Sequence, residues 1–328
     1  MKKLNVAMLS TWHVHAGGYA RELQAHPEAN LTVVWDEDPI VGKEFAKQYG
    51  IDFEPDLDKM LARADVDAVC VNAPTTQHRD VIIKAAKAGK HIFTEKVLAT
   101  TAKECADIRE AIDKAGVKFC ISFPHRTFPV NLFAKKVLDD QMLGTVTYLR
   151  MRNAHDGASA GWLPPSFYDE AQCGGGAMMD LGAHPMYLIG WFLGKPSEIS
   201  SAFTYVTGHG VEDNAVSVMK YPTGAIAVSE TGFVSSNSPS VLEIYGTAGS
   251  LMITGNDIRF ISSKTEGEYG GWTTPKSLPK AMPDAITQFV EGVLYGKEIL
   301  FGMDDAVLLT ELMEGAYKAH KNGGFVKV

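Results

Sequence analysis

Short apolar segments alternate with helix-forming segments through the first third of the chain, and this alternation constrains the fold more than any other feature. The apolar segments are short and rich in β-branched residues, which is typical of buried strands. The intervening segments carry helix-start and helix-stop residues such as Pro39 and Gly116. The predicted strands are Leu4–Leu9, Leu31–Trp35, Asp67–Asn72, His91–Thr94 and Val117–Ser122, and the predicted helices are Ala16–His26, Pro39–Tyr49, Gln77–Ala88 and Thr101–Ala115. This order predicts an α/β, Rossmann-type, doubly wound parallel sheet.

The second half of the chain has a different periodicity. Thr145–His155 alternates between two faces, and Pro222–Gly224 separates two strand-like segments in the manner of a hairpin. Further strands are predicted at Glu198–Thr207, Val241–Gly246, Ser250–Thr254, Asp257–Ser263 and Phe325–Val328, with a helix at Ala306–Lys321 and a loop at Gly267–Lys276. We therefore predict an α+β C-terminal domain with a large, mainly antiparallel sheet. The predicted domains are residues 1–123 and 124–328.

Composition excludes several classes of function. The net charge is −8 and there is no extended basic run, so we expect no nucleic-acid partner. There is no apolar window of membrane-spanning length, so we expect no membrane partner. The four cysteines, Cys70, Cys105, Cys120 and Cys173, are scattered without a CxxC motif, which favours reduced thiols and a cytoplasmic location.

Ligands of doubly wound sheets bind at the carboxyl ends of the strands. In this chain those ends are Ser10–His15, Asp36, Asn72–His78 and Thr94–Val97. The glycine fingerprint G-x-G-x-x-G, which brings backbone N–H groups to a dinucleotide pyrophosphate, is missing from Ser10–His15. Asp36 nevertheless ends the second strand, where a carboxylate accepts from ribose hydroxyls and repels a 2′-phosphate, which favours NAD over NADP. The structural alternative for Asp36 is the N-cap of the helix that begins near Pro39.

Two other features of this edge have both a functional and a structural interpretation. His13 and His15 form an H-x-H pair, which is half of a metal site, but no third ligand follows at a telling spacing. We therefore predict no metal, and favour loop packing, or else a phosphate or substrate contact, for the pair. Lys96 lies at the carboxyl end of the fourth strand, where burial would give it the lowered pKa that a proton shuttle needs. The structural alternative is a surface Glu-Lys dipeptide, which is common in proteins.

The run Gly174–His184 combines a glycine triplet with ionisable residues. The period from Ala177 onward is helical, which would place Asp180 and His184 at i,i+4 on one face. Pro185 lacks an N–H donor, so we expect a kink or a restart of the helix near Gly182–Pro185. A carboxylate and an imidazole in this arrangement bind a hydroxyl and pass a proton. A buried structural pair is the alternative.

Several segments together resemble the glucose–fructose oxidoreductase/inositol dehydrogenase (Gfo/Idh/MocA) family. The resemblance extends over nearly the whole chain, and its most specific part is Glu95–Lys96 followed by G-G-G-x-x-x-D-x-G-x-H. The matching segments are Ala73–His78, Ala88–Lys96, Arg126–Pro129 and Gly174–His184. The resemblance implies an NAD-dependent oxidoreductase that acts on a secondary alcohol or ketone of a sugar or cyclic polyol. It also implies NAD binding by residues 1–123, and substrate binding and dimerisation by residues 124–328.

The resemblance implies roles for individual residues. Lys96 matches the catalytic lysine, and Asp180 and His184 match its acid–base and substrate-orienting partners. The expected cofactor-binding residues are Ser10, Thr11, Trp12, His13, Asp36, Asn72, Pro74, Thr75, His78, Glu95 and Arg126. Polar and aromatic residues suited to a sugar ring are Asn153, His155, Trp162, Tyr168 and Tyr187. Because the sheet of the second domain needs a covering partner, we expect a homodimer or homotetramer.

Three features of the sequence depart from the family pattern. The glycine fingerprint is replaced, Val97 stands where a proline usually follows Glu-Lys, and Tyr187 stands where a carboxylate is often found. Two other functions remain compatible with the motifs. One is hydrolysis or elimination through transient oxidation by bound NAD, and the other is a non-catalytic sensor on the same fold.

Overall fold

The structure is a computed structural model that describes residues 3–264 and 271–328. Residues 267–270 of the loop predicted at Gly267–Lys276 lie outside the described residues. Contacts divide the chain into two compact units. The first unit contains Met1–Ser122 and Pro283–Thr310, and the second contains Phe123–Met282 and Glu311–Val328. The predicted second domain, 124–328, thus includes a segment that packs within the first unit.

The described chain alternates strands and helices before it becomes mostly strand. The strands are β1 (Leu4–Leu9), β2 (Ala29–Trp35), β3 (Asp52–Phe53), β4 (Ala68–Val71), β5 (His91–Thr94), β6 (Phe119–Ile121), β7 (Val146–Ala154), β8 (Glu198–Thr204), β9 (Asn214–Lys220), β10 (Ile226–Gly232), β11 (Val241–Gly246), β12 (Gly249–Thr254), β13 (Asp257–Ser262) and β14 (Val326–Lys327). The helices are α1 (Ala16–Ala25), α2 (Pro39–Tyr49), α3 (Leu57–Ala62), α4 (His78–Lys87), α5 (Ala102–Ala115), α6 (Pro129–Asp139), α7 (Glu170–Cys173), α8 (Ala183–Leu193), α9 (Ala285–Tyr295) and α10 (Met303–Asn322). The sequence did not predict β3, α3, α6, α7 or α9.

The first unit is built on a parallel sheet of six strands in the order β3-β2-β1-β4-β5-β6. This is the Rossmann order, and the predicted fold is confirmed. The helix ends follow the sequence: Thr101 and Glu104 form a capping box at the start of α5, and Gly116 ends it in the left-handed conformation. The order of the strands reverses between β1 and β4, so a crevice opens at their carboxyl ends.

Helix α9 completes the core of the first unit although it is far away in sequence. It packs against β1, β5 and β6. Phe289 is fully buried and its ring centroid lies 5.9 Å from that of Phe93. The Cys120 thiol donates to the Ala285 carbonyl. The apolar surface of β5 and β6 is therefore covered by a segment that the chain reaches only near its end.

The second unit is built on a sheet of eight strands in the order β13-β12-β11-β7-β10-β9-β8-β14. Strands β7 and β10 are parallel and the other neighbouring pairs are antiparallel. The predicted hairpin around Pro222–Gly224 is confirmed, since Tyr221 and Ala225 close it through a backbone hydrogen bond. Helix α8 packs on β7 and β10, and Leu149 and Met151 are buried.

The opposite face of this sheet is amphipathic. Arg150 lies at its centre and binds the carboxylate of Glu230 through two nitrogens, at 2.6 and 3.0 Å, and that of Glu243 through a third, at 3.2 Å. Half-buried valines of β9, Val216 and Val218, lie on the same face. Charged pairs therefore occupy the middle of this face, with apolar side chains beside them. None of the helices in the described residues is both long enough and apolar enough to cross a membrane.

Candidate functional site

The loop after β1 has one residue in a backbone conformation that normally favours glycine. Ser10 adopts a φ of 66°, in the left-handed region that normally favours glycine. Its hydroxyl accepts from the Trp12 N–H at 3.2 Å. The backbone N–H and hydroxyl of Thr11 both donate to one carboxylate oxygen of Asp36, at 2.8 and 2.6 Å. Thr11 thus links the loop after β1 to Asp36 at the end of β2.

Asp36 is not the N-cap of α2. That position belongs to Asp38, whose carboxylate accepts from the Ile40 N–H at 2.8 Å. The cap lies directly before Pro39, and Asp36 is too early in the chain to reach the same N–H groups. The second carboxylate oxygen of Asp36 accepts instead from the Asp38 N–H at 2.9 Å. Asp36 is only 4% exposed, and it holds the ends of β1 and β2 together.

Glu95 is the centre of a buried polar cluster at the end of β5. It is 1% exposed, and its carboxylate lies 2.7 Å from His15 Nδ1 and 3.7 Å from His13 Nδ1. It also accepts from the Tyr19 hydroxyl and from the Lys96 N–H. Burial raises the pKa of Glu95, but His13, His15 and Lys96 outweigh burial and hold the pKa well below its ordinary range. The carboxylate is therefore ionised.

The sequence analysis singled out His15 only as half of the H-x-H pair, and it did not single out Tyr19. They lie four positions apart at the start of α1, so they share one face of its first turn. Their spacing in the sequence was the available indication. Burial beside Glu95 raises the pKa of Tyr19 well above its ordinary value, so its phenol is protonated and donates.

Lys96 follows Glu95 at the carboxyl end of β5 and is 4% exposed. The Lys96–Val97 peptide bond is cis. Asn72 directly follows β4, the neighbouring strand, and is fully buried. Its amide nitrogen donates to the Cys70 carbonyl at 3.2 Å, whereas its side-chain oxygen has no hydrogen-bond partner in the part of the chain that the structure describes. A buried acceptor in this position suits a ligand or a bound water.

His78 braces the loop that begins at Ala73. Its ring nitrogens lie 2.9 Å from the Val97 carbonyl and 3.0 Å from the Ala73 carbonyl. Burial lowers the pKa of His78 despite these two carbonyls, so the ring is neutral and donates to only one of them. Thr75 is also buried, and it begins a 3₁₀ turn that is capped by Pro74. His78 thus positions the segments on either side of β5.

In the second unit, the prediction that Asp180 and His184 share one helical face is wrong. Helix α8 begins only at Ala183, and residues 177–182 form turns. The predicted restart near Gly182–Pro185 is confirmed. Asp180 therefore lies in the turn before the helix, while His184 lies in its first turn.

The glycine triplet allows a close approach between two backbone segments of the protein. The N–H groups of Gly176 and Met178 donate to the buried carboxylate of Glu212, each at 2.9 Å. Tyr317 donates to the same carboxylate at 2.6 Å. A Cβ on Gly176 would lie 2.1 Å from the Glu212 carbonyl oxygen, so only glycine fits. Glu212 had no motif in the sequence to indicate it.

His184 is held by two residues of the second unit. Its Nδ1 lies 3.0 Å from the Tyr187 hydroxyl, and its ring stacks on that of His125 with centroids 4.1 Å apart. The Tyr187 hydroxyl also accepts from the His125 N–H at 3.0 Å. Tyr187 thus fixes both histidines, and His125 is a site residue that the sequence analysis did not single out.

A cavity of about 110 Å³ opens beside these histidines. Asn153, predicted as a substrate contact, also lines it. The cavity combines polar groups with apolar walls, and its lining includes His125, His184, Asn131, Asn153, Met151 and Leu242. Such a mixture is typical of small-molecule sites.

The remaining predicted residues of the second unit form separate contacts. His155 stacks on Phe233, and its ring centroid lies 4.7 Å from that of Trp162. Burial lowers the pKa of His155, although the nearby Asp180 charge opposes this effect. Tyr168 stacks on His209 with centroids 4.0 Å apart. The guanidinium of Arg126 lies 4.9 Å from the ring centroid of Trp191.

Two protein-family models match successive parts of the chain. Residues 14–123 match the model of the oxidoreductase family with an NAD-binding Rossmann fold. Residues 132–252 match the model of the GFO/IDH/MocA C-terminal domain. The chain belongs to the GFO/IDH/MocA oxidoreductase family. Its N-terminal Rossmann domain is the NAD-binding domain of that family.

Individual GFO/IDH/MocA relatives are similar over much of the chain. An NAD⁺-dependent scyllo-inositol 2-dehydrogenase of Bacillus subtilis is 30% identical over 243 residues, which are 69% of this chain and 67% of the relative. A levoglucosan dehydrogenase of Pseudarthrobacter phenanthrenivorans is 25% identical over 252 residues, 67% of this chain, and the match spans 64% of that enzyme. The crystal structure of GenD2 from gentamicin A biosynthesis, in complex with NAD, is 26% identical with a TM-score of 0.85, and the match covers 100% of this chain and 97% of that one.

Proposed function

We propose that this chain is an NAD-dependent oxidoreductase that transfers hydride between nicotinamide and a secondary alcohol or ketone of a sugar or cyclic polyol. One observation carries the proposal: a lysine, Lys96, is buried at the carboxyl end of β5 in an NAD-binding Rossmann domain. Burying an ammonium costs free energy, which a lysine on the surface does not lose. The buried position of Lys96 therefore indicates a functional role. Relatives named for inositol and levoglucosan support the substrate class.

The residues of the first unit fit NAD. The buried side-chain oxygen of Asn72 offers an acceptor at the point where the strand order reverses. Asp36 presents a carboxylate at the end of β2, which suits ribose hydroxyls and disfavours the phosphate of NADP. The cofactor-binding residues that we propose are Ser10, Thr11, Trp12, His13, Asp36, Asn72, Pro74, Thr75, His78, Glu95 and Arg126. When bound, NAD supplies the two-electron acceptor of the reaction.

The side chains of this chain would handle the proton. Lys96 would take the proton of the substrate hydroxyl during oxidation and return it to the alkoxide during reduction. His184, whose ring is fixed by Tyr187 and stacked on His125, would bind the same hydroxyl. Asp180 would orient the histidine or bind a neighbouring hydroxyl. These three roles follow from the family pattern at Lys96, Asp180 and His184.

Substrate recognition would use the polar residues of the second unit. The cavity beside His184 offers the side chains of Asn131 and Asn153 to hydroxyl groups, and apolar walls to the ring carbons. We propose Asn153, His155, Trp162, Tyr168 and Tyr187 as substrate contacts. The phenol of Tyr187, in place of a carboxylate, would keep this part of the site uncharged.

We also propose that the chain forms a homodimer or homotetramer in the cytoplasm. The amphipathic outer face of the eight-stranded sheet, with Val216, Val218 and the Arg150 cluster, supports the assembly. All four cysteines are free and buried, and burial raises the pKa of the Cys70 and Cys120 thiols. Unreactive reduced thiols are typical of a reducing compartment.

The test is a substrate screen with purified protein and NAD⁺. We expect NADH to accumulate with at least one inositol, anhydrosugar or aldose, and less NADPH to accumulate when NADP⁺ replaces NAD⁺. Consumption of a substrate without net NADH would instead support hydrolysis or elimination through transient oxidation. A melting temperature that neither NAD⁺ nor NADP⁺ raises would contradict the proposal and support a non-catalytic sensor.

A further inference from the structure

In the loop after β1, most backbone N–H groups donate hydrogen bonds within the protein, whereas a glycine-rich loop directs such groups at a pyrophosphate. In a glycine fingerprint, these N–H groups approach the phosphates directly. Here four of them donate within the protein: Thr11 to Asp36, Trp12 to Ser10, His13 to the Asn72 carbonyl and His15 to His13 Nδ1. The negative charge of a bound pyrophosphate must therefore be met in large part by side chains.

His15 is placed to supply the opposite charge. It is the N-cap residue directly before α1, and its side chain is 42% exposed. Its Nδ1 lies 2.7 Å from the Glu95 carboxylate. Since an ionised carboxylate only accepts hydrogen bonds, the proton of the neutral ring lies on Nδ1. A second proton at Nε2 then creates an imidazolium, whose positive charge is stabilised by the negative charge of Glu95.

The groups that surround His15 in the first unit favour this charge. Glu95, from the end of β5, and Glu22, on α1, are carboxylates that interact with it. Tyr19, on α1, is neutral because burial beside Glu95 raises its pKa. The His13 ring lies 4.5 Å away, and its Nδ1 accepts the His15 N–H, so its lone pair points at that donor. His13 and Lys96 also interact with Glu95, and they are the basic groups that share this carboxylate with His15.

We infer that His15, paired with Glu95, is a cationic contact for the dinucleotide pyrophosphate. It would supply the interaction that the backbone N–H groups of a glycine fingerprint supply elsewhere. The inference rests on the proposed NAD-dependent function. Its consequence is that cofactor affinity depends on the protonation of one histidine. A glycine-rich loop has no such dependence, because backbone N–H groups do not titrate in this range.

The test is the dissociation constant of NAD⁺, measured by calorimetry between about pH 6 and pH 8.5, the range in which histidine changes charge. For the wild type we expect binding to weaken about tenfold as the pH rises, which is the scale of one charge-assisted hydrogen bond. His15→Gln should bind NAD⁺ about tenfold more weakly than wild type at the low end and show a flat profile. His15→Arg should give a flat profile with the affinity of the protonated wild type. His26→Gln, a histidine elsewhere in the first unit, is the matched control and should follow the wild type.

Two further probes need no variant. ADP-ribose, which carries the pyrophosphate, should show the pH dependence of NAD⁺ in the wild type, and adenosine, which lacks it, should not. Tight NAD⁺ binding with the same pH profile in His15→Gln and wild type would overturn the role of His15 and leave the proposed function intact. The same holds if adenosine shows the pH dependence of ADP-ribose. A wild type that binds no NAD⁺ at any pH would overturn the proposed function and this inference together.

Discussion

Ionisable side chains at the carboxyl ends of the first unit's strands are buried and individually held in place. Asp36 is bonded to the loop after β1, and Glu95 is surrounded by His13, His15 and Tyr19. Burial without such partners would cost several kcal/mol for each charge. Each of these residues therefore has a distinct consequence when it is changed.

Removal of the Lys96 ammonium should abolish most of the turnover but keep the fold. Lys96→Met preserves length and apolar volume, and positioned acid–base groups contribute about 10²–10⁴-fold to rate. We expect a loss of that order in kcat, measured by NADH formation, with little change in the dissociation constant of NAD⁺. Lys103→Met, on the exposed surface of α5, should behave as wild type. Near-normal turnover of Lys96→Met on every accepted substrate would remove Lys96 from the mechanism.

Asp36 should determine the choice between NAD and NADP. The wild type should bind NAD⁺ more tightly than NADP⁺, because its carboxylate repels the 2′-phosphate. In the double variant Asp36→Ser, Glu37→Arg, the preference should shift toward NADP⁺ by about tenfold or more, as expected for one new charge-assisted contact. Asp38→Ser removes a carboxylate two positions away, and because serine caps a helix about as well as aspartate, it should leave both the cofactor preference and the stability close to those of the wild type. Tighter binding of NADP⁺ than NAD⁺ by the wild type would contradict this role.

Glu95 should make stability depend on acid pH. Because its pKa is lowered in the folded chain, the ionised carboxylate stabilises the fold above the ordinary glutamate pKa of about 4.3, and this contribution is lost as the pH falls through the lowered value. Urea unfolding of Glu95→Gln at neutral pH should show a loss of about 1–3 kcal/mol. The difference from wild type should shrink below about pH 4. A constant difference across the whole pH range would show that the charge of Glu95 contributes nothing.

Among the elements, the turn before α8 depends most on exact backbone placement. Gly176→Ala should destabilise the chain by about 1–3 kcal/mol or more, because the new Cβ meets the Glu212 backbone at 2.1 Å. Gly18→Ala is the matched control, since no atom lies within 4 Å of its Cβ position inside α1, and it should stabilise by about 0.5–1 kcal/mol. Thermal or urea unfolding measures both. Equal effects of the two substitutions would contradict the close approach at Glu212.

The same turn shows what local periodicity predicts and what it misses. The strands of the parallel sheet were predictable because their apolar runs are bounded by caps such as Thr101 and Gly116. The helical placement of Asp180 failed because Glu212, which is far away in sequence, takes the N–H groups of Gly176 and Met178 and delays the helix. His125 and Tyr19 were missed for a similar reason. Their partners, Tyr187 and Glu95, come close only through tertiary contacts.

At the scale of the whole molecule, the outer face of the eight-stranded sheet should determine the oligomeric state. Light scattering should give the mass of a dimer or tetramer at micromolar concentrations. Val218→Glu introduces an unpaired charge at the centre of β9 and should shift the mass toward the monomer. Lys103→Glu, an exposed change on α5, should leave the mass unchanged. A wild-type monomer across this range would contradict the assembly.

The placement of α9 has a consequence for how the chain is made. Phe93 and Cys120 lie on strands that leave the ribosome early, but Phe289 and Ala285, which cover them, are synthesised only after the entire eight-stranded sheet except β14. During translation, the apolar surface of β5 and β6 therefore remains exposed to solvent until α9 has been synthesised. A truncated protein that ends at residue 123 would contain the Rossmann strands without α9. Its apolar surface on β5 and β6 would stay exposed, and we expect this fragment to aggregate.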